Sequence, residues 1–208
     1  MSDPFDTFSI PARPWIDLSD LQSRFHALAA QHHPDTLEAS KTGGAATASS
    51  SDTAVLKEAD FSEINEAHQL LKDPVTRLQL LLAREAPAEL EALKHGEISM
   101  DMSEHFLHVA TILREVSAFQ HQYSSARSPL ARAVLRAEHL SLRHDLDRAL
   151  AKMDELWHQC ESLIKGADSV WERRNPSILR QLATVQREMT FLQKWRTQLR
   201  EARLTMSL

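Results

Sequence analysis

The chain has 208 residues, 42 % of them hydrophobic and 25 % charged, the balance of an ordinary globular protein and not of a disordered chain. Lys and Arg number 24 against 29 Asp and Glu, for a net charge of −5. That sign argues against sequence-independent nucleic-acid binding, which needs cations to displace counterions. Only 4 glycines and 1 tyrosine occur, while Leu, Ala, Glu, Gln and Arg abound, so an all-α fold is expected.

A single cysteine, Cys160, excludes an intrachain disulfide and a cysteine-based zinc finger, and reads as a small buried hydrophobe. No apolar stretch approaches the ~20 residues of a membrane span. The acidic start, Met1-Ser2-Asp3-Pro4-Phe5-Asp6, is neither a secretory signal nor an Arg-rich transit peptide. A cytoplasmic location is the default expectation.

From residue 4 to 72 the pattern predicts a short helical turn, a helix, a loop and a second helix. Asp17 is placed to cap the first long helix, with Asp20 in its first turn. Leu18, Leu21, Phe25 and Leu28 then recur at steps of three and four. Pro34 pushes its predecessor out of the α region, so this helix should stop near His32. Residues 36–53 are rich in Ser, Thr, Ala and Gly, lack an apolar period, and are expected to be a mobile loop. Val55, Phe61, Ile64, Ala67, His68 and Leu71 restore helical spacing. Asp73-Pro74 opens a further helix carrying Val75, Leu78, Leu81 and Leu82. Residues 87–99 are expected to connect two domains.

Residues 100–208 read as three long helices. Ser103 is the expected cap of the first, whose core stripe is Phe106, Val109, Leu113, Val116 and Tyr123. At 100° per residue Leu107 points away from that stripe, with Thr111 and Glu115 following it. Ser128-Pro129 marks the next start. Leu135, His139, Leu142, Leu146, Ala149, Met153, Leu156, Cys160 and Leu163 then follow a seven-residue period, and Gly166 is the expected stop. After Asn175-Pro176 come Ile178, Leu182, Val185, Met189, Leu192 and Leu199, with Phe191 and Trp195 beside them. Three narrow apolar stripes bury one another best in an antiparallel three-helix bundle.

No nucleotide-binding glycine loop, HExxH or GxSxG motif is present. The 11 histidines are scattered; His32-His33 and His105/His108 lack matched carboxylates, so no metal or cofactor is implied. The sharp feature is His33-Pro34-Asp35, between two amphipathic helices. Pro34 fixes one backbone torsion, and the corner offers an imidazole and a carboxylate able to take a guanidinium from a partner.

With Phe5-Asp6-Thr7-Phe8-Ser9-Ile10-Pro11-Ala12-Arg13, Asp17, Leu21, Arg24-Phe25, Leu28 and His33-Pro34-Asp35, the N-terminal stretch resembles a J-domain, and more specifically the opening of the HscB family of iron–sulfur co-chaperones. The likeness resumes at Ile64-Asn65-Glu66-Ala67, Leu71, Asp73-Pro74, Arg77 and Leu81-Leu82. It is fainter at Phe106-Leu107, Leu113-Arg114-Glu115, Phe191-Leu192, Lys194 and Leu199. The chain differs from the usual pattern in Thr36, where a lysine often stands, and in His68, at a usually aromatic site. Around Ile112 it is apolar where the family is acidic. Arg24 is the main cation between Asp17 and Asp35.

The resemblance implies a non-enzymatic co-chaperone of all-α fold. A J-domain helical hairpin over residues 1–86 would be joined through 87–99 to a client-binding three-helix bundle over 100–208. The implied partners are a DnaK/HscA-type chaperone ATPase, engaged by His33, Pro34, Asp35 and Arg24, and an IscU-type scaffold protein, held by Leu107, Thr111, Glu115 and Phe191. No nucleic acid or membrane enters this expectation. Two other readings remain open: a J-domain adaptor for a different client, and a purely structural helical scaffold in which the tripeptide is only a turn.

Overall fold

The structure, a computed structural model, describes residues 3–32, 50–94, 100–173 and 175–206. Among the described residues the regular structure comprises eight α-helices and one 3-10 turn, with no strand.

The N-terminal part begins with α1 (Pro4–Thr7). The Asp3 carboxylate accepts from the Phe5 amide at 2.9 Å and Pro4 supplies the preset torsion at the first position. This short turn buries Phe5, and Phe8 follows it into the core. Helix α2 (Leu18–His32) is capped by Asp17, whose Oδ1 accepts from the Ser19 amide at 2.8 Å and the Ser19 hydroxyl at 2.7 Å. These bonds hold the Asp17 carboxyl below its ordinary pKa.

Helix α3 (Ser50–Lys72) runs against α2 and α1. It begins at Ser50, so the expected loop over 36–53 is helical in its last four positions; residues 36–49 lie outside the described residues. Next is α4 (Pro74–Glu85), capped by Asp73, which accepts from the Thr76 amide and hydroxyl. The stretch read as a connection is helical over α5 (Pro87–Lys94).

His68 on α3 is 5 % exposed. Its ring stacks on Phe25 of α2 at 4.3 Å and meets Phe8 edge-on at 6.3 Å. The imidazole thus serves as the flat packing element that an aromatic side chain would provide. Burial, followed by the charges of Lys72 on α3 and His26 on α2, lowers its pKa below the ordinary 6.5. A histidine that resists protonation in the fold, yet accepts it when unfolded, contributes its full stability above pH 6.5. That contribution shrinks as the pH falls below this value. Denaturant unfolding at pH 7.5 and 5.5 should show a loss that is smaller in His68→Phe; an equal loss in both proteins would contradict this.

The bundle comprises α6 (Met100–Ser125), α7 (Pro129–Ser169) and α8 (Pro176–Thr205). A 3-10 turn, Trp171–Arg173, lies between the last two helices. Ser128 caps as expected, accepting from the Ala131 amide at 3.1 Å, and Asn175 caps α8 in the same way, accepting from the Ser177 amide at 3.0 Å. Helix α6 instead starts at Met100, leaving Ser103 inside its first turn. Gly166 is not a stop, because α7 continues to Ser169.

Two core stripes also differ from expectation. On α6 the buried residues are Met102, Val109, Ile112, Val116 and Phe119. Phe106 is 53 % exposed and Ile112 only 3 %, so the apolar Ile112 is core and forms no part of a surface. On α7 the stripe passes through Trp157 and Ile164, while Leu163 is exposed and Leu156 only partly buried. A strict seven-residue repeat drifts relative to a helix of 3.6 residues per turn, and over a long helix the drift moves burial to the next residue.

Ion pairs follow the antiparallel register of α7 and α8. Arg203 bonds Asp147 at 2.6 Å and Arg196 bonds Asp154 at 2.7 Å. The acids and the arginines are both one heptad apart, running in opposite directions.

Candidate functional site

The corner His33, Pro34 and Asp35 lies outside the described residues; its place in the chain is directly after α2. Arg24, the cation expected to accompany it, has a defined position. Its Nε bonds Asp20 at 2.9 Å, while Nη1 donates to the carbonyls of Phe8 and Ser9 at 3.1 and 3.2 Å. Ser9 has φ 51°, a left-handed conformation unfavourable for a side-chain-bearing residue. Arg24 therefore pins the turn after α1 as well as presenting a partly exposed cation.

The bundle candidates divide between two helices. Leu107, Thr111 and Glu115 follow one another at four-residue steps on α6 and are all exposed, so they form one ridge. Leu107 is 65 % exposed. The Thr111 hydroxyl donates to the Leu107 carbonyl at 2.8 Å, which occupies its donor and leaves the methyl group for packing. Phe191 on α8 is half-buried and stacks on Trp195 at 5.9 Å.

Sequence reasoning missed the link between these groups. Phe106, adjacent to Leu107 on α6, lies 6.1 Å from the Trp195 ring. Trp195 is buried, so Phe106, Trp195 and Phe191 form an aromatic row from α6 to α8, with only its ends accessible. Spacing gave no signal of it, because Phe106 keeps the three- and four-residue rhythm of Met102, Val109 and Val116. Leu107 and Phe106 together give an apolar surface flanked by the Glu115 carboxylate, a mixture suited to protein docking.

No protein-family model matches the chain. It is 33 % identical over 82 residues to the co-chaperone protein HscB homologue of Haemophilus ducreyi and 34 % identical over 103 residues to that of Vibrio cholerae. The chain spans 42 % and 55 % of those two relatives. The HscB homologue of Vibrio vulnificus aligns over 174 residues at 30 % identity, covering 82 % of this chain and 92 % of the relative. The chain belongs to the HscB co-chaperone family. A solved structure of chaperone HscB from Vibrio cholerae shares the fold, with a TM-score of 0.56 at 20 % identity over 99 % of each chain. The architecture is a J-domain helical hairpin followed by a C-terminal helical bundle.

In this HscB-family member the two parts are clasped. Between α1 and α2, Arg13 Nε donates to Asp168 Oδ1 at 3.0 Å and the Trp15 amide donates to the same oxygen at 3.2 Å. Trp171 Nε1 donates to the Ala12 carbonyl at 3.0 Å. The Lys165 ammonium sits 4.3 Å above the Trp15 ring, a cation–π contact. The buried Arg77 also lies 5.9 Å from the Trp15 ring and donates to the Leu71 carbonyl at 2.7 Å. Burial lowers the Arg77 pKa to about 10, so it stays charged near neutrality. Further along, Gln193 of α8 donates to Asp73 at 3.2 Å and Arg180 of α8 faces Glu89 of α5 at 3.5 Å.

None of these contacts was legible in the sequence, since they join residues up to 159 positions apart. Asp168→Ala removes an acceptor shared by two donors, one of them charged. It should cost about 1–2 kcal/mol, tempered by the partial exposure of the pair. Thermal unfolding should shift down by roughly 2–6 °C, with faster amide exchange at Trp15. An unchanged melting temperature and exchange rate would show that the clasp contributes nothing.

Proposed function

We propose that this co-chaperone stimulates the ATPase of a DnaK/HscA-type chaperone and delivers an IscU-type scaffold protein to it. In this reading His33, Pro34 and Asp35 engage the chaperone's ATPase face. Asp35 takes an arginine of the chaperone. Arg24 contributes a nearby positive charge and holds the turn after α1. The scaffold docks on the bundle through Leu107, Thr111, Glu115 and Phe191, with Phe106 extending the apolar contact. Residues 1–86 act as the trigger unit, 87–99 as its connection and 100–208 as the cargo unit.

The observation that carries this reading is kinship with an HscB co-chaperone homologue over 82 % of the chain, and the clasp at Asp168 gives it a physical rationale. Holding trigger and cargo in one clasped molecule turns the meeting of chaperone and client into an event at high effective concentration. Titration calorimetry of the full chain against an IscU-type scaffold tests the client. Saturable binding is expected; absence of binding alongside retained ATPase stimulation would leave an adaptor for another client.

A further inference from the structure

A second site lies at the far end of the bundle, away from the J-domain clasp. There α6, α7 and the end of α8 enclose a cavity of about 390 Å³, within the range of small-molecule pockets. Phe119 and Tyr123 of α6, Leu135 of α7 and Met206 after α8 form its apolar wall. The frame is pinned on two sides. His139 Nε2 donates to the Met206 carbonyl at 2.8 Å, and Gln120 Nε2 donates to the Thr205 hydroxyl at 2.6 Å. The His139 ring also lies 5.7 Å from Phe119, so the cavity is formed before any ligand enters.

Its mouth is positive. Arg136 lines the cavity. Arg132 sits 5.9 Å over the Tyr123 ring, on the side where Arg127 and Arg136 border an adjoining depression. Among the described residues, no carboxylate lines either hollow. Arg127, Arg132 and Arg136 are the Lys, Arg, Asp or Glu side chains that line the two hollows, in a chain of net charge −5. This local reversal of charge, set over an aromatic wall, selects the sign of a ligand.

We propose that this cavity binds a small amphipathic carboxylate, its apolar body against Phe119, Tyr123 and Leu135 and its anionic head between Arg132 and Arg136. The site is separate from the client ridge, and nothing in the co-chaperone reading requires it. The test uses the full chain and the anionic dye 8-anilinonaphthalene-1-sulfonate, displaced by dodecanoate or by dodecanol, which has the same body without the charge. Dodecanoate should displace the dye roughly tenfold more effectively than dodecanol. The double variant Arg132→Gln/Arg136→Gln should weaken dodecanoate by a similar factor at an unchanged melting temperature, both side chains being exposed. Equal displacement by acid and alcohol would overturn the proposal. So would full dodecanoate affinity in the double variant, or dye binding abolished by Leu107→Ser alone, which would place it on the client ridge.

Discussion

His33→Gln should return ATP hydrolysis by a DnaK-type chaperone to the chaperone's unassisted rate while leaving the melting temperature of the co-chaperone unchanged. The fold around α2 is held by Leu21 in the core with Phe25 and Leu28 packed against it, by the Asp17 cap and by Arg24. These contacts are made by other side chains of α2 and its cap. At a partner interface the balance differs. Removing one member of a desolvated, hydrogen-bonded polar contact costs roughly 2–5 kcal/mol, a factor of about thirty or more in effective affinity. Asp35→Asn should act in the same direction, by withdrawing the charge that an arginine would grasp. Wild-type stimulation in both variants would favour the structural-scaffold reading.

Leu107→Ser should weaken binding of an IscU-type scaffold by about thirtyfold, or roughly 2 kcal/mol, without impairing stimulation measured in the scaffold's absence. The side chain is 65 % exposed, so folding gains little from it and its loss leaves no cavity. An exposed leucine beside an exposed phenylalanine makes an apolar patch of the kind that marks a protein-docking surface. Phe191→Ala should also weaken the scaffold. Because Phe191 packs on Trp195, that variant will lose stability too, which makes Leu107→Ser the cleaner measurement. Isothermal titration of both variants, with thermal unfolding alongside, separates binding from folding. Unchanged affinity in Leu107→Ser would move the client face elsewhere.

The legible parts of the fold were those written in local chemistry. Asp73, Ser128 and Asn175 each precede a proline and each caps the helix that follows, because side-chain acceptors and a preset torsion act within one turn. The all-α class followed from composition, and the bundle from apolar period. What escaped depended on neighbours. The two possible stripes of α6 share Val109 and Val116, so periodicity alone could not choose between Phe106 and Ile112. Only packing against α7 and α8 puts Ile112 inside and leaves Phe106 free to meet Trp195. The step from Leu156 to Trp157 on α7 reflects accumulated rotation along a 41-residue helix. Arg24 read only as the main cation between Asp17 and Asp35, because its bonds to the Phe8 and Ser9 carbonyls join residues 16 and 15 positions apart. The candidate client ridge of Leu107, Thr111 and Glu115 was legible, since it needs only helical geometry. The clasp of Arg13, Trp15 and Asp168 was not.

The most direct test of a co-chaperone that joins trigger to cargo is single-turnover ATP hydrolysis by the DnaK/HscA-type chaperone, measured with the full chain alone and with the IscU-type scaffold added. Faster hydrolysis is expected with the chain, and a further, more than additive, acceleration when the scaffold is present. A rate equal to that of the isolated chaperone under both conditions would contradict the proposed role.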